Sequence, residues 1–73
     1  MNTPHLVKMA NQIGQFFEAE ADQAQAMKDI ASHLKRFWEP RMRRAIIAHV
    51  EQGGGDLLQI VAQAITTHKQ LLQ

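Results

Sequence analysis

Three features of this 73-residue sequence predict an all-α fold, a small bundle of about four short helices in a single domain. Apolar residues recur at spacings of three and four along most of the chain, the period of a helix with one buried face. Pro4, Pro40 and the run Gly53-Gly54-Gly55 punctuate that pattern where helices would start and stop. No strand-like alternation, Val/Ile-rich run or Asn-Gly hairpin signal occurs. The expected helices span residues 3–18, 22–37, 40–52 and 56–71.

Thr3-Pro4 opens the first as a hydroxyl N-cap followed by proline at the first helical position. Leu6, Met9/Ala10, Ile13 and Phe16/Phe17 form its apolar face, with Lys8, Asn11, Gln12 and Gln15 opposite. Gly14 inside that pattern lowers helix propensity by about 1 kcal/mol and marks close approach of a neighbour. The acidic run Glu18-Ala-Glu-Ala-Asp22 suits the start of a helix better than its end, which places a break near residues 19–22. Asp22 with Gln25 has the form of a capping box. The second helix carries Ala24, Met27, Ile30/Ala31, Leu34 and Phe37/Trp38 as its stripe.

Pro40 has a fixed φ and no N–H, and it pushes Glu39 out of the α region, so one helix ends before it and another begins there. That third helix presents Met42, Ala45/Ile46 and His49/Val50, and stops at the glycine triplet, where a left-handed cap is available. Asp56 with Gln59 forms a second capping-box-like pair. Leu57, Leu58, Val61, Ala62, Ile65 and Leu72 then make the fourth stripe, weakened slightly by Thr66-Thr67.

At 8.3 kDa the chain has room for one domain, and a core of this size gives marginal stability unaided. It contains no cysteine, so neither a disulfide nor a thiolate metal site can brace it, which leaves partner binding as the supplement. A hydrophobic content of 45% is too high for intrinsic disorder, yet no apolar run approaches a membrane span. Met-Asn-Thr-Pro-His carries no basic stretch followed by an apolar core, so a cytoplasmic location without membrane contact is expected.

Catalytic chemistry is hard to assemble from these residues. His5, His33, His49 and His68 lie on different expected helices, and nothing has the His-Glu-x-x-His form. His49, near a helix C-terminus, suits a structural or capping role. The glycine triplet lacks the Lys-Ser/Thr ending of a phosphate loop and follows a helix rather than a strand. Glu18, Glu20 and Asp22 have no titrating partner nearby in the chain. Met9, Met27 and Met42 read as core fillers. No catalytic, cofactor-binding or metal-ligating residues are therefore assigned.

The formal charge of +1 conceals a concentration. Residues 1–32 sum to −2, residues 45–73 to −1, and residues 33–44 to +4, through Lys35, Arg36, Arg41, Arg43 and Arg44 against Glu39. The same stretch holds Phe37 and Trp38, the only tryptophan. Those two rings either plug the end of a small core or present a recognition surface. Arg41, Arg43 and Arg44 occupy the first turns of a helix, where like charge and the macrodipole both disfavour them, so something else must favour them. An ion pair from Glu39 to Arg43 has the right spacing. Arginine beside aromatics suits a protein interface, with Trp and Arg as anchors. It also suits nucleic acid, although a pI near 8.3 and acidic flanks make a weak field for that purpose.

Leu6-Val-Lys-Met-Ala-Asn-Gln-Ile13, Phe16-Phe17, His33-Leu-Lys-Arg-Phe-Trp-Glu-Pro-Arg-Met-Arg43 and Gly53-Gly-Gly followed by leucines resemble, in order and spacing, the delta subunit of NAD-dependent formate dehydrogenases. The Phe-Trp-acidic-Pro-Arg-Met-Arg run is the most specific part. The chain departs from that pattern in having Glu39 where aspartate is commoner, and in lacking a Gly/Pro break after Phe17. The resemblance implies a small helical accessory protein without a cofactor of its own, supporting assembly, stability or cofactor retention. It implies a cytoplasmic complex whose large catalytic subunit carries a molybdenum bis-pterin guanine dinucleotide centre and iron–sulfur clusters. Other subunits would carry FMN and pass electrons to NAD. Lys35, Arg36, Phe37, Trp38, Arg41, Arg43 and Arg44 are the expected partner-binding residues. An anchor surface of this kind would let the isolated chain self-associate. The alternative reading is a helical nucleic-acid-binding module using the same corner.

Overall fold

Asn2, one residue earlier than the expected cap, starts the first helix: its Oδ1 accepts the His5 N–H at 3.1 Å in a computed structural model that describes residues 2–73. Asparagine caps at least as well as threonine, and Thr3 and Pro4 then fall inside the first turn, where the missing proline N–H has no intrahelical partner to lose. Five helices follow in order: α1 (Thr3–Phe17), α2 (Gln23–Phe37), α3 (Pro40–Glu51), α4 (Gln59–Thr67) and α5 (Lys69–Leu72). No strand occurs among the described residues.

The break between α1 and α2 lies where the acidic run predicts it. Asp22 caps α2 by accepting the Gln25 N–H at 3.1 Å, but the reciprocal half of the box comes from elsewhere. Glu20 Oε1 accepts the Asp22 N–H, while the Gln25 side chain runs forward to Asp29 at 2.9 Å. α3 ends in the double bond pattern of a glycine stop. Gly54 N–H reaches the His49 carbonyl at 2.9 Å and Gly53 N–H the Val50 carbonyl at 3.0 Å, with φ of 66° and 120° respectively.

The fourth expected helix is corrected at both ends. Asp56 does not cap it; this residue itself takes a left-handed φ of 67°, and α4 begins only at Gln59. The turn before α4 is held from outside, by Asn11 of α1. Its Nδ2 donates to the Asp56 carbonyl at 2.8 Å and its Oδ1 accepts the Leu58 N–H at 2.9 Å. The far end breaks at His68, whose φ of −108° and ψ of 28° leave the helical range, and α5 follows as one short turn. The β-branched pair Thr66-Thr67 stands just before that break, and a Lys69–Glu51 ion pair ties α5 back to the end of α3.

One core joins all five elements. Ile30, Leu34, Ile46, Val61, Ile65 and Leu72 are fully buried, and α2 packs most extensively against α4. Gly14 lies where α1 meets α4: a Cβ there would stand 2.4 Å from Val61 Cγ2. This contact sets the rotation of α1. Leu6, Val7, Ala10 and Gly14 are the buried residues of the helix, so the inward face is turned toward Val7 and Gly14. Met9, Ile13 and Phe17, expected at its centre, are only partly buried, and Phe16 is 79% exposed.

Candidate functional site

Phe37 ends α2 and Pro40 begins α3, so a two-residue corner sits inside the most basic stretch of the sequence. Trp38 and Glu39 are both extended, as a pre-proline link requires, with ψ of 136° and 153°. The corner divides the seven sequence-predicted residues into two sets. Trp38 is 6% exposed and belongs to the core, while Phe37 beside it is 64% exposed. Trp38 therefore plugs the core, while Phe37 stands at the surface.

The basic residues divide in the same manner. Arg43 is 7% exposed and turns inward, away from the expected ion pair with Glu39. Its Nη1 donates to the Lys35 carbonyl at 2.9 Å, and its buried Nε has no hydrogen-bond partner. Lys35 lies in the last turn of α2, whose carbonyls lack intrahelical donors and carry the negative end of the helix dipole. The cation that α3's N-terminus disfavours is thus favoured by α2's C-terminus, which is what holds Arg43 in place. Lys35, Arg36, Arg41 and Arg44 remain exposed, and none has a carboxylate within ion-pair distance among the described residues.

Beside the corner lies a feature that the periodicity missed. The rotation of α1 leaves Met9, Ile13 and Phe16 along one edge, facing the end of α2 across a groove of about 650 Å³ floored in part by Trp38 and Met42. Rings line it in succession. Phe16 stands perpendicular to Phe17 with centroids 5.0 Å apart; Phe17 is 6.5 Å from His33, and His33 is 4.7 Å from Phe37. Arg36 continues the row, its Cζ 5.3 Å from the Phe37 ring centre. Two exposed phenylalanines on one apolar groove exceed what scattered surface residues would supply. The available signal was the width of the α1 stripe: with Val7 included, it holds more large apolar residues than one buried face accommodates.

A second cleft, of about 520 Å³, runs between the start of α1 and the glycine loop. Its polar groups are occupied in holding the loop. Besides the Asn11 bonds, His49 Nε2 donates to the Gly55 carbonyl at 2.7 Å, since a carbonyl can only accept. Among the described residues no three His, Asp or Glu side chains gather as a metal-ligand set.

A family model described as "NADH-dependant formate dehydrogenase delta subunit" matches residues 5–65, a span that includes the groove, the corner and most of α4. No curated protein and no solved structure matches the chain.

Proposed function

The chain belongs to the NADH-dependent formate dehydrogenase delta subunit family, and from that membership we propose that it is a non-catalytic accessory subunit docking on the large catalytic subunit of the complex. The observation that carries this reading is an exposed aromatic row capped by a cation, on a domain too small to be robust alone. Phe37, Lys35, Arg36, Arg41 and Arg44 are the docking residues, while Trp38 and Arg43 act from beneath by holding the corner rigid. The chain carries no cofactor itself. The molybdenum bis-pterin guanine dinucleotide centre, iron–sulfur clusters, FMN and NAD belong to its partners, and its task is to keep that assembly together or its cofactors retained. No described helix is long and apolar enough to cross a membrane. The place of work in this proposal is the cytoplasm, with the rest of the complex.

Nucleic acid is a weaker fit. Phosphates would meet only four exposed cations, and the adjoining groove is lined mostly by Met, Ile and aromatic side chains, with Gln12 and His33 as its polar members. The deciding experiment is purification of a tagged chain from its native host. Formate dehydrogenase subunits should accompany it in fixed ratio; their absence would refute the reading.

A further inference from the structure

We propose that the groove between Phe16 and Phe37 receives an amphipathic helix of the catalytic subunit, with apolar residues at i, i+3/i+4 and i+7 and carboxylates along its flank. This rests on the accessory-subunit reading and specifies the partner's chemistry at that site. Three observations define the occupant. The first is length: Met9, Ile13 and Phe16 lie at i, i+4 and i+7 on α1, so the edge of the groove extends about 10 Å, close to two helical turns. A helix laid in a groove of that length presents apolar side chains at the same spacing.

The second is the apolar lining with rings at both ends, which rewards burial of aliphatic or aromatic anchors rather than charge. The third is charge. Arg36 caps the Phe37 end, and Lys35, Arg41 and Arg44 are exposed in the same corner against one exposed carboxylate, Glu39. The only ion pair among the described residues, Lys69–Glu51, lies elsewhere. An occupant with Asp or Glu beside its apolar stripe meets those cations. A second copy of this chain, paired through the same face about a two-fold axis, would instead set cations against cations.

The test places the photocrosslinking residue p-benzoyl-L-phenylalanine at position 37 of the full chain. That chain is bound to formate dehydrogenase complex purified from cells lacking the natural subunit. Irradiation should join it to a catalytic-subunit helix with the stated pattern. Phe37→Ser and Arg36→Glu should each weaken binding by about tenfold or more. Gln63→Glu, exposed on α4 and outside the groove lining, should leave it unchanged. Circular dichroism checks that each variant keeps its helices, and Phe16→Ser, at another exposed ring, gives an independent reading. Cross-links to a second copy, to nucleic acid or to a segment without carboxylates would overturn the proposal, as would intact binding without any cross-link. If the groove variants bind as the unaltered chain does, only this inference fails. If the unaltered chain does not bind the complex, the accessory-subunit reading fails with it.

Discussion

Arg43 donates from Nη1 to the Lys35 carbonyl across 2.9 Å, and this one bond locks the first turn of α3 onto the last turn of α2. Arg43→Ala should lower stability by about 2 kcal/mol, because it removes a part-buried, charge-assisted bond and leaves the Lys35 carbonyl without its donor. Arg41→Ala, two residues away and exposed, should change stability by less than about 0.5 kcal/mol. Urea unfolding of the two variants checks the contrast. Docking is therefore tested by charge reversal at Arg41 and not at Arg43, where reversal would damage the fold.

Trp38 and Phe37 should separate just as clearly. Trp38→Ala opens a cavity at the end of the core and should reduce stability by about 3 kcal/mol or more, which in a domain this small approaches unfolding. Phe37→Ala should leave stability within about 0.5 kcal/mol and act on association alone. Equal losses of stability in the two would show that Phe37 is structural.

Gly14→Ala sets a gain in helix propensity of about 1 kcal/mol against a methyl group 2.4 Å from Val61 Cγ2. Val61 is fully buried and stiff at χ1, so overpacking should win, with a net loss of about 1–2 kcal/mol. Adding Val61→Ala makes room for the new methyl. The double variant should then be more stable than the sum of the two single losses, by about 1 kcal/mol.

Asn11→Ala should release the turn before α4, since both of its bonds to the Asp56 carbonyl and the Leu58 N–H disappear together. A loss of about 1–2 kcal/mol is expected. Faster hydrogen exchange at the Leu58 amide, with that at Leu34 following only the global loss, would localise the effect.

A complex stripped of this chain should keep its initial rate of formate oxidation per molybdenum and lose that activity faster on standing. A partner that binds only the assembled state adds about 2.7 kcal/mol at a hundredfold excess over Kd. An immediate fall in rate per molybdenum, restored by adding the chain back, would instead give the subunit a direct part in catalysis.

The punctuation of the chain was legible because Pro40, Asp22 and the glycines act through their immediate neighbours. Asn11 was not, because its partners lie 45 and 47 residues away and an asparagine on a polar face carries no mark of them. The exposure of Phe16 depends on the rotation of α1, and that is set by a contact between Gly14 and α4 which no local period encodes. Arg43 is an intermediate case. It precedes the buried Ile46 and Ile47 by three and four residues, so its place on the inward face was readable, but its acceptor at the end of α2 was not.

The lone indole of Trp38 lies under the same groove whose rim is Phe37 and Phe16. The protein therefore carries a built-in optical probe at the place of interest. Its emission, with no competing tryptophan or tyrosine, reports the polarity of the groove floor. An apolar occupant drying that floor should shift the emission to the blue, and unfolding should shift it to the red. Titration with a tryptophan-free helical peptide can thus follow docking without a label, and urea unfolding read at the same indole follows the integrity of the corner beneath it.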